Sequence, residues 1–411
     1  MGWRKYFNII KKLGGFKMLS VEKQNKIIEI CQGLVKSKSY SGGESEVVEK
    51  IKTIFKELGF DDFYVDDYGN IVGCIKGKGQ GKKVLFDAHI DTVEVTDESK
   101  WTYNPFEAKI VDKKIYGRGS SDMKGALSAM IYGAYNFAES TNRQFNGEIY
   151  IAGVVHEECF EGVAAREISK KVNPDYVVIG EASDCNLKIG QRGRAEIVVE
   201  TYGKPAHSAN PEKGINAVYK MSKLIDRINK LDMTHDDMLG DGILELVGIK
   251  SSPYPGASVV PDYCRATYDR RLLVGETKEG VLKPILELIE SMEKEDTQFK
   301  AKAYYSTGKE KCYTGNIISG ERFFPGWKYS QDEEFVQDSY KTLKENRLDP
   351  KITQYSFCTN GSHYAGEAGI KTIGFGPSNE TLAHTIDEYI EIEQLIKATK
   401  GYEAILNGLL K

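Results

Sequence analysis

The feature that most constrains the fold of this 411-residue chain is an alternation of short apolar runs with amphipathic helical patterns. The apolar runs include "NIVGCI", "KKVLFDAHID", "EIYIAGVVHEE" and "DYVVIGEAS", and helical spacing follows in stretches such as "MKGALSAMIYGAYNFAES". Strands that are covered by helices on both sides are apolar throughout, because both of their faces are buried. The pattern therefore predicts an α/β fold with a mixed, largely parallel sheet and helices on both faces.

A different order of elements begins after about residue 191. Strand, helix, two strands, helix and strand follow one another, which is the order of a compact α+β sandwich of the size of an inserted domain. Patterns of the first kind resume after about residue 311. The sequence therefore predicts one main domain made of residues 18–191 and 311–411, with an α+β sandwich over residues 192–310 inserted between its two parts.

The first 17 residues stand outside both patterns. The codons of Gly14 and Gly15 can spell a bacterial ribosome-binding site shortly before Met18. We therefore interpret Met18 as the start of the native protein, and residues 1–17 as a translated leader or a disordered extension. N-terminal sequencing of the native protein tests this interpretation, which a chain beginning at Met1 would contradict.

Composition and charge narrow the classes of partner. The formal net charge is only −4 and the basic residues are scattered, so the sequence predicts no nucleic-acid partner and no anionic membrane surface. No apolar run reaches the roughly 18 residues that a membrane span needs. The seven cysteines are widely spaced without a C-x-x-C pair, which is typical of reduced thiols in a cytoplasmic protein.

Acid and imidazole side chains follow several of the predicted strands. The residues in question are His89 and Asp91 after "VLFDA", Asp122 before a helix, Glu157 and Glu158 in "VVHEE", Glu181 after "VVIG" and His384 after "GFGP". Ligands in open α/β sheets gather at the carboxyl ends of the strands. We therefore expect these side chains to converge on one edge of the sheet.

Each of these residues taken alone has a plainer interpretation. His89 or His384 would more often be a loop residue, Asp122 a helix cap, and Glu157 and Glu158 surface charges. Their shared position at strand ends favours a metal site instead. Imidazole and carboxylate without thiolate suit Zn²⁺, with Co²⁺ or Mn²⁺ as alternatives. Two divalent ions are favoured, because their four positive charges would balance three carboxylates and one hydroxide.

The motifs H-x-D, G-R-G-x-x-D-x-K-G, E-E and a late A-H-T are specific in combination. Together they resemble the family of co-catalytic zinc peptidases and deacylases that includes acetylornithine deacetylase, succinyl-diaminopimelate desuccinylase and bacterial glutamate carboxypeptidase. The resemblance runs from about Val21 to the C-terminus. The stretches "VVHEE", "GQRGRAE" and "AHTIDEYIEI" look most similar to a peptidase branch linked to selenium metabolism.

The resemblance implies a metal-binding role for five residues. His89 and Glu181 would hold one ion, and Glu158 and His384 would hold the other. Asp122 would bridge the two ions. Zn²⁺ is the metal that the resemblance favours.

It also implies roles for the neighbours of these ligands. Asp91 would accept the free N–H of His89 and so fix the tautomer of its ring. Glu157 would act as the general base that takes a proton from the attacking water and passes it to the leaving amine. The peptide bond between Asp122 and Met123 would be cis.

The inserted domain would, by the same resemblance, be a lid that makes a homodimer. His207 would reach the active site of the partner subunit and stabilise the oxyanion, and Arg271 would grip a substrate carboxylate. Ser258 stands where several relatives have an Asn that helps to hold the substrate. From spacing alone, His207 could equally be a turn residue and Arg271 a surface arginine. His156 and His363 have no predicted role.

These inferences predict a dinuclear metal-dependent amidohydrolase of the metallopeptidase or deacylase type. Its partner would be a small amide substrate, an N-acyl, N-carbamoyl or peptidyl amino acid with a free carboxylate, because the family resemblance associates Glu181 and Arg271 with such substrates. Two alternatives stay open. One is a di- or tripeptidase that needs a free amino terminus, and the other is a metal-binding relative without catalytic activity.

Overall fold

The computed structural model describes residues 19–410, so the interpretation of Met18 and of residues 1–17 lies outside the described part of the chain. The α-helices within that part are α1 (Val21–Lys36), α2 (Ser45–Glu57), α3 (Gly125–Ser140), α4 (Ala165–Val172), α5 (Ala217–Ile228), α6 (Lys278–Glu295), α7 (Glu334–Glu345) and α8 (Ile392–Leu409). None of the helices in residues 19–410 is long and apolar enough to cross a membrane.

The strands are numbered in chain order. Those of the first half are β1 (Asp62–Val65), β2 (Ile71–Lys76), β3 (Gly79–His89), β4 (Lys109–Val111), β5 (Lys114–Tyr116), β6 (Asn146–Val154), β7 (Tyr176–Ile179), β8 (Leu187–Gln191) and β9 (Gly193–Tyr202). Those of the second half are β10 (His235–Asp236), β11 (Gly240–Asp241), β12 (Ile243–Ser252), β13 (Tyr263–Leu272), β14 (Ala301–Tyr305), β15 (Thr307–Lys311), β16 (Ile317–Glu321), β17 (Phe323–Phe324), β18 (Trp327–Lys328), β19 (Ile352–Tyr355), β20 (Lys371–Gly374) and β21 (Tyr389–Glu391).

The main sheet has the strand order β1-β2-β6-β3-β7-β20-β8-β18, and β19 pairs with β8. Its four central strands, β6, β3, β7 and β20, run parallel to one another, whereas β1, β2 and β18 pair antiparallel with their neighbours. The predicted mixed sheet, largely parallel at its centre, is therefore confirmed.

Both faces of this sheet are covered, as adjacent residues of β3 show. Phe86 contacts Tyr402 of α8, with ring centroids 5.2 Å apart. Asp87 points to the opposite face, where Asn360 and Tyr364 donate hydrogen bonds of 2.9 and 2.8 Å to its carboxylate. Side chains of successive strand residues alternate between faces, so the two layers enclose the strand.

The inserted sandwich has its own sheet and core. Strands β12, β13, β9 and β14 pair antiparallel in that order, and β17 also pairs with β9. Helices α5 and α6 cover one face of this sheet with a separate apolar cluster. The predicted order of strand, helix, two strands, helix and strand is confirmed. The boundaries at residues 192 and 310 stay a prediction, and β17 lies beyond the second of them.

The fold brings the candidate residues to one edge of the main sheet. The parallel register pairs His89 of β3 with Val154 of β6, and Asp87 with Ile179 of β7. The chain therefore leaves β3, β6 and β7 on the same side, just before the predicted ligands. A small sheet of β21, β5 and β4 lies nearby and joins the late part of the chain to the segment that precedes Asp122.

Candidate active site

The carboxylate of Asp122 lies between two histidines and offers one oxygen to each. Its Oδ1 is 2.8 Å from Nε2 of His89, and its Oδ2 is 3.2 Å from Nε2 of His384. These histidines are almost 300 residues apart in the chain, and the acid comes from a third place, the segment just before α3. Such a placement suits a carboxylate that bridges two cations.

Two further acids complete the arrangement. Glu181 Oε1 lies 3.6 Å from Nε2 of His89, and Glu158 Oε2 lies 3.0 Å from Nε2 of His384. The structure therefore brings all five predicted ligands together, in two groups that share Asp122. The donor set is nitrogen and carboxylate oxygen without thiolate, which suits Zn²⁺ and similar divalent ions.

The geometry also shows a grouping that the sequence did not predict. Ligand atoms of His89, Asp122 and Glu158 lie within 4.8 Å of one another, and so do those of His89, Glu157 and Glu181. By distance alone, Glu157 could be a metal ligand instead of a general base next to a bound metal ion.

The electrostatics of the site fit a bound cation. Burial raises the pKa of Glu181 to about 8, and nearby Asp122 adds to the effect. Burial likewise raises the pKa of Glu158 and holds that of Glu157 well above its usual range. Contact with Asp122 and Glu158 raises the pKa of His384 to about 10. Gathered buried carboxylates repel one another, and divalent cations would relieve that repulsion.

Asp91 accepts the hydrogen bond that orients the ring of His89, and it does so through its main chain. Nδ1 of His89 donates a 2.8 Å hydrogen bond to the main-chain carbonyl of Asp91, whereas the Asp91 carboxylate is 3.7 Å away. That carboxylate accepts instead from the N–H groups of Glu157 and Glu158, at 3.0 and 3.3 Å, and from the hydroxyl of Ser41 at 2.7 Å. Asp91 therefore fixes the segment that carries the two glutamates.

The segment that carries Asp122 is held by residues that the sequence did not single out. Glu388 is fully buried and accepts from the main-chain N–H groups of Gly119, Ser121 and Asp122, at 3.1, 2.8 and 3.1 Å. Arg118 donates a 2.6 Å bond to the same carboxylate. The peptide bond after Asp122 is cis, as the resemblance implied. The only signals in the sequence were the Arg of "GRG" and an acid in "IDEYIEI".

The site opens into a cavity of about 460 Å³. The residues that line it are Asp122, Glu157, Glu158, Glu161, Glu181, Ala182, Arg194, Arg271, Phe357, Cys358, Glu380, Ala383 and His384. Arg271, predicted to bind substrate, is therefore in the wall. Its neighbour Arg270 is buried on the opposite face of β13 and pairs with Glu276, as alternation along a strand predicts.

The predicted oxyanion-stabilising residue His207 and the predicted substrate-binding residue Ser258 do not line this cavity. His207 and Ser258 are exposed on the inserted domain, where Val259 pairs with His207 and the main-chain carbonyl of Ser258 accepts from Ser208. Their predicted roles stay predictions.

The two histidines without a predicted role have different surroundings. His363 has both ring nitrogens bonded, to Ser169 at 2.7 Å and to Glu367 at 2.8 Å, and is therefore a packed structural residue. His156 is buried with a φ of 56°, and within residues 19–410 neither of its ring nitrogens has a hydrogen-bond partner.

Fold and site together define a metal-dependent hydrolase. The chain belongs to peptidase family M20/M25/M40, whose model matches residues 85–408. It is 32% identical over 390 residues to the uncharacterized protein YgeY of Escherichia coli K12, covering 93% of this chain and 94% of that protein. It is 26% identical over 397 residues to succinyl-diaminopimelate desuccinylase of Wigglesworthia glossinidia brevipalpis, covering 93% and 99%.

Solved structures share the fold. Aminopeptidase PepT from Bacillus cereus ATCC 10987 superposes with a TM-score of 0.73 at 20% identity, covering 94% of this chain and 99% of that one. The YXEP protein of Bacillus subtilis, described as a dinuclear metal binding peptidase from M20 family, gives 0.70 at 13% identity, covering 95% and 100%. At these identities the likeness is one of fold.

Proposed function

We propose that this chain hydrolyses the amide bond of a small N-acyl, N-carbamoyl or peptidyl amino acid that has a free carboxylate. The observation that carries the proposal is the position of the Asp122 carboxylate between His89 and His384, in a cavity whose wall also contains Arg271. The same cavity therefore offers ligands for cations and a guanidinium for an anion.

Five residues would hold the metal ions. His89 and Glu181 would bind one ion, Glu158 and His384 would bind the other, and Asp122 would bridge them. Zn²⁺ is the ion we expect, with Co²⁺ or Mn²⁺ as alternatives. When bound, such ions polarise the scissile carbonyl and make water more acidic.

Glu157 is the proposed general base. Only 6% of this residue is exposed, and it lines the cavity beside the ligand groups. Its carboxylate would take the proton of the attacking water and deliver it to the leaving nitrogen. The hydrogen bond from its own N–H to Asp91 would hold its main chain in place.

Arg271 would bind the carboxylate of the substrate. Its Nε lies 2.8 Å from Oδ1 of Asp269 in an ion pair, and none of the described residues forms a hydrogen bond with its two terminal nitrogens. A guanidinium presents those nitrogens in a plane that matches a carboxylate. Ser258 remains a weaker proposal, because in this chain it lies outside the cavity wall.

A homodimer would explain why His207 is not in the wall of its own cavity. Strand β12 is an edge of the inserted sheet, and Val247 and Ile249 on it are 61% and 56% exposed. An edge strand with exposed apolar side chains is a surface that pairs readily with another chain. We propose that two subunits meet there and that His207 acts in the partner's site, on the oxyanion.

We propose that the protein is cytoplasmic, and its cysteines support this location. All seven lie within the described residues and are free thiols, which is typical of the cytoplasm.

The test of the proposed function is a comparison of substrates by the metal-loaded protein. Matched sets would contain an N-acetyl, N-succinyl or N-carbamoyl amino acid, its α-carboxamide, and dipeptides with a free or acetylated amino terminus. We expect hydrolysis of acylated substrates that keep the α-carboxylate, and a loss of about 10- to 100-fold in kcat/KM for the carboxamides. Activity that requires a free amino terminus would instead establish the peptidase alternative, in keeping with the name of PepT. No hydrolysis in any set would reject catalysis of this class.

A further inference from the structure

Arg194 and Arg271 lie directly opposite each other on the neighbouring antiparallel strands β9 and β13. Both line the cavity. Like charges that face each other across strands are destabilising, because their side chains project from the same face at close distance. The pair therefore needs compensation from nearby acids.

Two acids, Asp269 and Glu161, balance the positive charge of the two arginines. Asp269 binds both guanidinium groups, with Oδ2 at 2.8 Å from Nε of Arg194 and Oδ1 at 2.8 Å from Nε of Arg271. Glu161 Oε1 lies 2.8 Å from NH1 of Arg194. The charges thus alternate in sign from Glu161 through Arg194 and Asp269 to Arg271.

This row of charges connects two parts of the molecule. Glu161 belongs to the main domain and lies three residues after Glu158, whereas Arg194, Asp269 and Arg271 lie on the inserted sheet. The side chains of Glu161 and Arg194 are 10% and 22% exposed, so the ion pair between them is shielded from water. A shielded pair of this kind constrains geometry more than an exposed one does.

The two arginines differ in how many of their guanidinium nitrogens are held by acids of the protein. Arg194 is held at two nitrogens by two different acids, whereas Arg271 is held only at Nε. The terminal nitrogens of Arg271 are therefore available to a ligand, and its orientation depends on Asp269. Asp269 in turn is fixed by Arg194.

We infer that Arg194 is a positioning residue, which holds Asp269 and thereby aims Arg271 at the substrate carboxylate at a set distance from Glu158. The inference rests on the proposed role of Arg271. It adds Glu161, Arg194 and Asp269 as residues that determine specificity for carboxylate substrates without binding the substrate themselves.

The experiment combines variants with paired substrates. The wild-type protein and its Arg271→Gln, Arg194→Gln and Arg194→Lys variants would be loaded with metal. Each would be assayed by release of acetate from the N-acetyl amino acid best hydrolysed by wild type, and from its α-carboxamide. Arg265→Gln is the matched control, because Arg265 lies on the same face of β13 but outside the cavity wall.

The expected results distinguish the binding role of Arg271 from the positioning role of Arg194. Arg271→Gln lowers kcat/KM for the carboxylate substrate by about 100-fold, and Arg194→Gln lowers it by about 10-fold, mainly through KM. Both substitutions leave kcat/KM for the carboxamide nearly unchanged. Arg194→Lys gives an intermediate loss, since it keeps the charge without the two-sided contact. Arg265→Gln matches wild type.

Other outcomes overturn one claim or both. If Arg271→Gln discriminates between the two substrates and neither Arg194 variant does, the positioning role is wrong while the proposed function stands. An equal loss on both substrates in the Arg194 variants would show a merely structural role. If Arg271→Gln itself does not discriminate, the carboxylate site and the inference that rests on it are both wrong. Metal content and melting temperature, measured for each variant, show whether it has folded.

Discussion

Glu157 and Glu158 are adjacent in the chain, yet their surroundings differ. Glu158 lies 3.0 Å from His384, within the group that shares Asp122. Glu157 lies deeper, near His89 and Glu181. Both residues lie in a turn that follows β6, and in that turn each meets a different partner. We therefore expect neutral variants of the two residues to fail for different reasons, one in proton transfer and the other in metal binding.

At the residue scale, the sequence predicted which side chains converge but not which atoms meet. Placement at strand ends and before a helix predicted the convergence, and the family resemblance selected five ligands from it. The structure brings these five together: His89, Asp122, Glu158, Glu181 and His384. Asp91 was predicted as the hydrogen-bond acceptor for the ring of His89 without a choice among its oxygens, and the structure has its main-chain carbonyl in that role. Strand patterns fix the position of a residue, whereas the choice between its main-chain and side-chain oxygens depends on torsion angles.

At the scale of structural elements, the segment before α3 is held in place by Glu388, and this support can be tested. We expect Glu388→Gln to weaken metal binding about tenfold, because an amide cannot accept from all the N–H groups that hold Asp122 in place. Competition with a chromogenic chelator measures this affinity. Glu391→Gln is the control, since Glu391 is exposed three residues further on. Equal affinities in the two variants would show that the segment needs no such support.

The same segment shows why element boundaries were predicted less well than elements. The helical pattern suggested a start at Met123, and α3 begins at Gly125. Asp122 and Met123 have non-helical torsion angles, with φ of −125° and −138°. The contacts that impose this conformation come from Glu388 and Arg118, and Glu388 lies more than 250 residues along the chain. The spacing of apolar residues within one segment does not indicate contacts with residues so far away in the sequence.

At the scale of the whole molecule, the exposed edge of the inserted sheet predicts a dimer. We expect sedimentation to show two chains per particle for wild type and one for a Val247→Lys, Ile249→Lys variant, because charge on an apolar interface opposes association. The change should not affect folding, since both side chains are exposed. Ile110→Lys, at a 44% exposed position on β4, is the control. A monomeric wild-type protein would contradict the proposal and leave His207 without an active site to reach.

The global architecture was predictable because alternation of strand and helix leaves few arrangements. The mixed sheet and the inserted sandwich both appear as expected. The row of charges from Glu161 to Arg271 was not predictable, because it joins two domains whose relative placement no periodicity encodes. Arg194 lies within the stretch "GQRGRAE", which carries part of the family resemblance, but nothing local in that stretch indicates that it would face Arg271.

The central claim is that the strand-end side chains hold two metal ions beside a glutamate that moves protons. Metal content per chain and hydrolysis rate, measured together for Glu157→Gln and Glu158→Gln, test it most directly. We predict that Glu157→Gln keeps both ions while its rate falls by about 1,000-fold, and that Glu158→Gln loses one ion along with activity. Loss of an ion from Glu157→Gln would make Glu157 a ligand, as its position near His89 and Glu181 allows, and would contradict the account.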